Sequence, residues 1–179
     1  MRIIGGARKG HILKPPVGLP VRPTTDRAKE SIFQILELNY DFSECSVLDL
    51  FAGTGNITFE FASRGALSVT SVDADNGCCK HIRQTAGLLN FDQIDVIRSD
   101  VFRFLKTEKS LFNIIFADPP YRLPNISEIK TIIFENGLLD ENGQLIIEHD
   151  HKFSFGSDPM ISDKREYGQS AFTFFKKIK

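Results

Sequence analysis

The sequence lacks the features that mark several large protein classes. It has 3 cysteines in 179 residues, an odd count with two of them adjacent (Cys45, Cys78, Cys79). No C-x-x-C pair occurs, so neither a zinc site nor a disulfide framework is suggested, and a reducing, cytoplasmic setting is expected. Long apolar runs are missing. The longest are about seven residues, against the roughly 18 a spanning helix needs, so no membrane partner is expected. The opening MRIIGGARKGHILKPP carries charge without an apolar block behind it and does not read as a secretory leader. Net charge is only −1, and with 41% hydrophobic side chains this excludes a disordered charged tail. No internal repeat or low-complexity tract is visible. What remains suits one domain with a small appendage. Such a chain buries about 70% of its unfolded surface and needs no disulfide or metal to fold.

The charge that is present is unevenly placed. Residues 1–30 carry seven Lys/Arg against two acids, residues 31–151 nine against eighteen, and residues 152–179 six against three. A basic arm on an acidic body fits an anionic polymer as partner, because Lys and Arg that neutralise phosphates release counterions.

Patterning divides the chain at about residue 24. Over 1–24, two short apolar runs flank G-A-R-K-G as a small β-hairpin. Pro15, Pro16, Gly18, Pro20 and Pro23 then impose a rigid, extended arm. From Thr25 a helix is expected to about Asn39, with Ala28, Ile32, Ile35 and Leu36 on one face and Thr24, Thr25 or Asp26 as cap. Over 46–149, apolar strands alternate with helices: strands at 46–51, 68–73, 93–99, 112–118 and 143–149, helices at 56–64, 75–89, 101–106 and 126–136. Alternation of this kind predicts an α/β fold, a mostly parallel seven-stranded sheet with helices on both faces. Its last two strands, ISDKREYG and QSAFTFFKK, turn on Gly168 and Gln169 as an antiparallel hairpin. Residues 25–179 form the main domain on this reading.

Ligands of such sheets bind outside the carboxyl ends of the strands. The first strand ends in Asp49-Leu50-Phe51-Ala52-Gly53-Thr54-Gly55. Gly53 and Gly55 let the backbone turn tightly beside a ligand. A dinucleotide site would continue to Gly or Ala at the sixth position, where this chain has Thr58. The Asp49 carboxylate would repel a pyrophosphate and suits an amine or sulfonium instead. The second strand ends at Asp73, 18 residues beyond Gly55, where a carboxylate can take both ribose hydroxyls. Asp75 reads as a helix cap. The third strand ends at Asp100 and Val101, able to meet an adenine amino group and ring. Helix capping would explain any one of these carboxylates, but all three together describe an adenosine-type ligand without phosphates.

The fourth strand ends in Asp118-Pro119-Pro120-Tyr121. Here the Asp118 carboxylate and the Pro119 carbonyl can both accept hydrogen bonds from one exocyclic NH₂. Two consecutive prolines fix φ and so hold that carbonyl in place beforehand. Tyr121 can stack on a base, a contact of about 1–3 kcal/mol.

D-L-F-A-G-T-G, the acidic strand ends and D-P-P-Y resemble class I S-adenosylmethionine-dependent methyltransferases acting on exocyclic amino groups, which have a Rossmann-like fold. More narrowly, RPTTDRAKESIF (22–33), DLFAGTGNITFEFASRGA (49–66), DPPY (118–121) and REYG (165–168) are similar to the RsmD family, bacterial 16S rRNA guanine-N2 methyltransferases. Thr54, Asn56, Ile57 and Thr58 depart from that family's usual glycine loop. The resemblance implies S-adenosyl-L-methionine as cofactor, with Asp49, Phe51, Gly53 and Gly55 at its methionine part, Asp73 at the ribose, and Asp100 with Val101 at the adenine. It implies Asp118, Pro119 and Tyr121 as the catalytic pocket. Pro120, Arg22, Arg27 and Lys29 are candidates for RNA contact. The implied partner is 16S rRNA within the small ribosomal subunit or its assembly intermediate, with guanine 966 as the family position, flipped out of its stack. No dimer is demanded.

Other candidates rank lower. Arg165 and Tyr167 could border the site or form a strand-end pair. His149-Asp150-His151 has metal-ligand residue types but reads as a loop, and this reaction needs no metal. The cysteines follow no nucleophile pattern. Rival readings are an N6-adenine DNA methyltransferase, which usually needs a target-recognition segment absent here, a non-catalytic RNA-binding assembly factor, and a dinucleotide-dependent oxidoreductase, disfavoured by Thr58 and Asp49.

Overall fold

The computed structural model describes residues 1–14 and 26–178. The expected proline-rich arm, with Arg22, Thr24 and Thr25, lies outside the described residues. Seven strands form one sheet: β1 (Ser46–Leu50), β2 (Ser68–Asp73), β3 (Ile94–Arg98), β4 (Phe112–Ala117), β5 (Leu139–Asp150), β6 (Ile161–Tyr167) and β7 (Ser170–Phe175). Their spatial order is β3-β2-β1-β4-β5-β7-β6. The first five run parallel, and β7 is antiparallel to both its neighbours. The connections are α1 (Asp26–Glu37) before β1, then α2 (Asn56–Ser63), α3 (Asn76–Leu89), α4 (Val101–Thr107) and α5 (Ile126–Glu135) between successive parallel strands.

Period-two alternation divides the core into two faces. On β1, Val47 packs with α1, α2 and α3, whereas Leu48 and Leu50 face α4 and α5. Both faces are covered, so the parallel strands are apolar almost throughout. Helix starts follow local chemistry: Asp75 caps α3 by accepting from Cys78 N–H at 2.8 Å, and Asp100 caps α4 by accepting from Arg103 N–H at 2.9 Å. Among the described residues, no helix is long and apolar enough to cross a membrane.

Two expectations change in detail. The N-terminal hairpin is closed by a single antiparallel bridge, Arg2 to Ile12, around a 3₁₀ turn at Gly6–Arg8, because its turn spends residues that two strands would need. It also packs inward: Ile3 and Leu13 belong to the same core as α1 and α2. Strand β5 begins at Leu139, ahead of the expected Gly143. Phe112 pairs Leu139 and Ile114 pairs Gln144, so residues 140–143 bulge from the ladder. Gly143 permits this, since a Cβ there would stand 2.8 Å from Leu139 Cγ.

Candidate active site

The strand order reverses between β1 and β4, and this switch point carries the glycine loop and D-P-P-Y side by side. Asp118 N–H donates to Leu50 O at 3.3 Å, extending the β1–β4 pairing just past the strand ends.

The glycine loop is bent by three left-handed residues, Phe51 (φ 58°), Gly53 (φ 55°) and Gly55 (φ 81°). At Phe51 this conformation costs on the order of 1–2 kcal/mol and is held by the ring's packing against the α4–α5 core. Gly55 admits no side chain, because a Cβ would come within 2.7 Å of the Phe59 ring. The loop is pinned from β2: Ala52 N–H donates to Val72 O at 3.1 Å and Gly53 N–H to Asp73 Oδ2 at 2.8 Å.

The expected carboxylates take different positions. Asp73 is half-buried, and besides Gly53 it accepts from Asp75 N–H at 2.8 Å through Oδ1. Each of these oxygens keeps a second lone pair, so a vicinal diol can still donate to them. Asp100 is exposed and Val101 beneath it is buried, which offers a polar edge over an apolar floor. Asp49 is only 2% exposed and lies under the loop, on the α2 face of the sheet. Its Oδ2 accepts from Thr58 Oγ at 2.5 Å, and Thr58 Oγ lies 2.8 Å from Ser71 Oγ. Burial pushes the Asp49 carboxyl up to about 7, and the Thr58 hydrogen bond only partly opposes this. Acceptor sets of this kind, carboxylates at successive strand ends beside a glycine turn, fit a cationic adenosine derivative and disfavour a pyrophosphate.

In D-P-P-Y, Pro119 is buried, Pro120 exposed, and Asp118 and Tyr121 half-buried. A turn closes behind them, with Leu123 N–H donating to Pro120 O at 2.8 Å. Two residues not anticipated as site residues join Tyr121. Ser170 Oγ lies 2.6 Å from its hydroxyl, and Glu148, 3% exposed at the end of β5, lies 3.5 Å away. An acid within the apolar run LIIEH was the available signal for Glu148.

The basic candidates separate. Arg27 is exposed on the first turn of α1, and Arg22 lies outside the described residues. Lys29 is 1% exposed, which removes it from the RNA-facing surface. Its ammonium donates to Arg2 O at 2.6 Å and Asn56 Oδ1 at 2.9 Å, and pairs with Glu60 at 3.3 Å. Burial lowers its pKa and Glu60 opposes that shift. Glu60 also binds Arg64 at 2.8 Å and accepts from Ile4 N–H at 3.0 Å, so the network ties the hairpin, α1 and α2 together.

Arg165 is exposed and bonds Asp163 at 2.8 Å, as a strand-edge pair. His149 is part of β5, not a loop. It is buried, burial lowers its pKa, and its Nε2 lies 2.7 Å from Thr173 Oγ. The cysteines are buried, and burial pushes the thiols of Cys45 and Cys78 up to about 11 and about 12, so neither presents a thiolate near neutral pH.

The family described as conserved hypothetical protein 95 matches residues 1–176. The Bacillus subtilis protein YlbH, whose name proposes an rRNA methyltransferase, is 34% identical over 184 residues, covering 99% of each chain. Ribosomal RNA small subunit methyltransferase D of Escherichia coli is 28% identical over 180 residues, 99% of this chain and 90% of its own. The solved structure of the Thermus thermophilus hypothetical protein TTHA0928 superposes with a TM-score of 0.86 at 26% identity, again covering 99% of each chain. With the match running from the N-terminal hairpin through β7, the chain belongs to the RsmD family of rRNA methyltransferases.

Proposed function

We propose that this protein transfers a methyl group from S-adenosyl-L-methionine to the exocyclic N2 of a guanine in 16S rRNA, within the small ribosomal subunit or its assembly intermediate. The observation that carries the reading is D-P-P-Y at the C-terminal end of β4, one backbone hydrogen bond from the strand that bears the glycine loop.

On this reading the glycine loop, with Phe51 and the charge of Asp49 beneath it, receives the methionine part of the cofactor. Asp73 takes the ribose hydroxyls, and Asp100 with Val101 takes the adenine. When bound, the cofactor supplies an electrophilic methyl on a sulfonium sulfur. The chain's own work is to aim the nucleophile. Tyr121 stacks on the guanine that has left its helix, while Pro120 and the exposed Arg27 face the RNA. The Asp118 carboxylate and the Pro119 carbonyl accept the two N2 hydrogens, which turns the nitrogen lone pair toward the methyl. As the N–C bond forms and the S–C bond breaks, positive charge develops on N2. Asp118 stabilises that charge and accepts the departing proton. Positioning supplies the rate, and no covalent enzyme intermediate is needed.

The test is tritiated-methyl transfer to unmodified 16S rRNA, to small subunits lacking the modification and to unmethylated duplex DNA, followed by nucleoside identification. N2-methylguanosine from the ribosomal substrates alone supports the reading, whereas N6-methyladenine from DNA overturns the substrate. Asp118→Ala is expected to abolish turnover while keeping S-adenosylhomocysteine affinity within a few-fold by calorimetry. A large loss of that affinity would contradict the role given to Asp118.

A further inference from the structure

The turn between β6 and β7 is held from three sides. His151 N–H, just past the end of β5, donates to Gln169 O at 3.0 Å. Tyr167, the last residue of β6, shares a hydrogen bond through its hydroxyl with Ser31 of α1, and its ring meets Phe172 edge-on at 5.8 Å. Ser170, the first residue of β7, lies in register with Asp150 of β5 and Tyr167 of β6. Gly168, at φ 63°, makes the reversal without a Cβ penalty. The Ser170 backbone is therefore fixed by the sheet, and its hydroxyl points away from the ladder to the Tyr121 phenol at 2.6 Å.

Tyr121 needs such a fixed point. It follows two prolines on a loop, and its backbone alone does not set the direction of its side chain. A phenol bonded at its far end is held at both ends, which fixes the long axis of the side chain and so the place of the ring. With Glu148 Oε1 3.5 Å from the same phenol, the proton order Ser170 to Tyr121 to Glu148 satisfies all three groups.

We infer that Ser170 is a positioning residue that sets where the Tyr121 ring stands beside the target base, by fixing the long axis of its side chain, so that the C-terminal hairpin contributes to methyl transfer as well as closing the sheet edge. The inference rests on the proposed stacking role of Tyr121.

The experiment is a double-mutant cycle on the full chain with ribosomal substrate. It uses Ser170→Ala, Tyr121→Phe, the double variant and Ser170→Thr, with S-adenosylhomocysteine titration and thermal unfolding in parallel. Ser170→Ala and Tyr121→Phe are each expected to lower kcat/KM about five-fold, the worth of one net hydrogen bond. The double variant should lose no more than either single one, and Ser170→Thr should restore the rate, since it keeps the hydroxyl. Cofactor affinity should not move. Additive losses, an unaffected Ser170→Ala, or parallel losses of cofactor affinity and melting temperature would each overturn the inference. The stacking reading is tested separately by Tyr121→Ala, and full turnover in that variant would remove it whatever the cycle shows. If the methylated product proves to be adenine, the same cycle on that substrate still decides whether the hydroxyl tie matters.

Discussion

Asp49 stands at the end of β1 where sequence position suggests a ligand contact, yet its carboxyl is turned under the glycine loop against Thr58 and Ser71. That burial has a measurable consequence. Unfolded, the group ionises near 3.8; folded, it is pushed up to about 7. Below 3.8 both states hold the proton and nothing is lost. As pH rises from there to about 7, the unfolded chain releases its proton first, so this group's contribution to stability falls; above 7 the loss is constant. Asp49→Asn keeps an acceptor for the Thr58 hydroxyl and removes the charge. The variant should therefore gain on the parent as pH rises from 4 to 8, by on the order of a few kcal/mol. Urea midpoints of both proteins across that range check this, and a pH-independent difference would refute it. If the loop receives the cofactor as proposed, the same variant should also bind S-adenosylhomocysteine more weakly, because it lacks the negative charge beneath the loop.

Among the elements, α2 departs most from an ordinary surface helix: seven of its eight residues, Ile57 to Ser63, are buried. The sheet covers one side, and α1 with the N-terminal hairpin covers the other. Phe61 meets Phe33 of α1 at 4.6 Å and Phe42 at 5.5 Å. The polar residues on that outer side are satisfied by what covers them, Glu60 by Lys29, Arg64 and Ile4 N–H, and Ser63 by Gly5 O and Arg8 N–H. Gly6 makes the docking possible. It has φ +70°, and a Cβ there would stand 1.8 Å from Ser63 O. Gly6→Ala should cost at least about 2 kcal/mol, from left-handed strain plus displacement of the hairpin. Amide exchange at Ile3 and Ile4 should accelerate in that variant, while β4 and β5 stay protected. Unchanged exchange at the hairpin would show that it does not depend on this contact. The strands and helices were legible because alternation and helical spacing are local signals, and D-P-P-Y was legible because it follows a strand directly. The fate of Lys29 was not, since the acid that receives it lies on another helix. One cue existed: Lys29 is three, four and seven residues before Ile32, Phe33 and Leu36, which places it on the buried face of α1. Ser170 was hidden for the same reason as Lys29, because its partner is 49 residues away in sequence.

Across the whole molecule, charge must serve two opposed demands. Carboxylates at the ends of β1, β2, β3 and β4 favour a cationic cofactor and repel the phosphates of an RNA brought to the same edge. Attraction has to come from beside the site, and the basic residues of the first thirty supply it unequally. Lys29 is buried in its network, Arg2 is paired with Asp26 at 3.1 Å, and the Arg8 guanidinium donates to Leu89 O at 2.9 Å. Arg2 and Arg8 are exposed but tied in this way, whereas Lys9, Lys14 and Arg27 are exposed and set apart from these ties. If these three neutralise phosphates, each adds about 0.7–0.9 to the slope of log affinity against log salt concentration. Replacing all three by Ala should flatten that slope by about 2 to 3 and weaken binding most at low salt. Replacing Lys106 and Lys109, exposed where α4 leads into the start of β4 at the opposite end of the parallel strands, should leave the slope unchanged. Filter binding of a ribosomal RNA fragment over a salt series decides between them. Equal slopes for the two sets of variants would mean that RNA is gripped elsewhere, and the basic hairpin would then serve the fold alone.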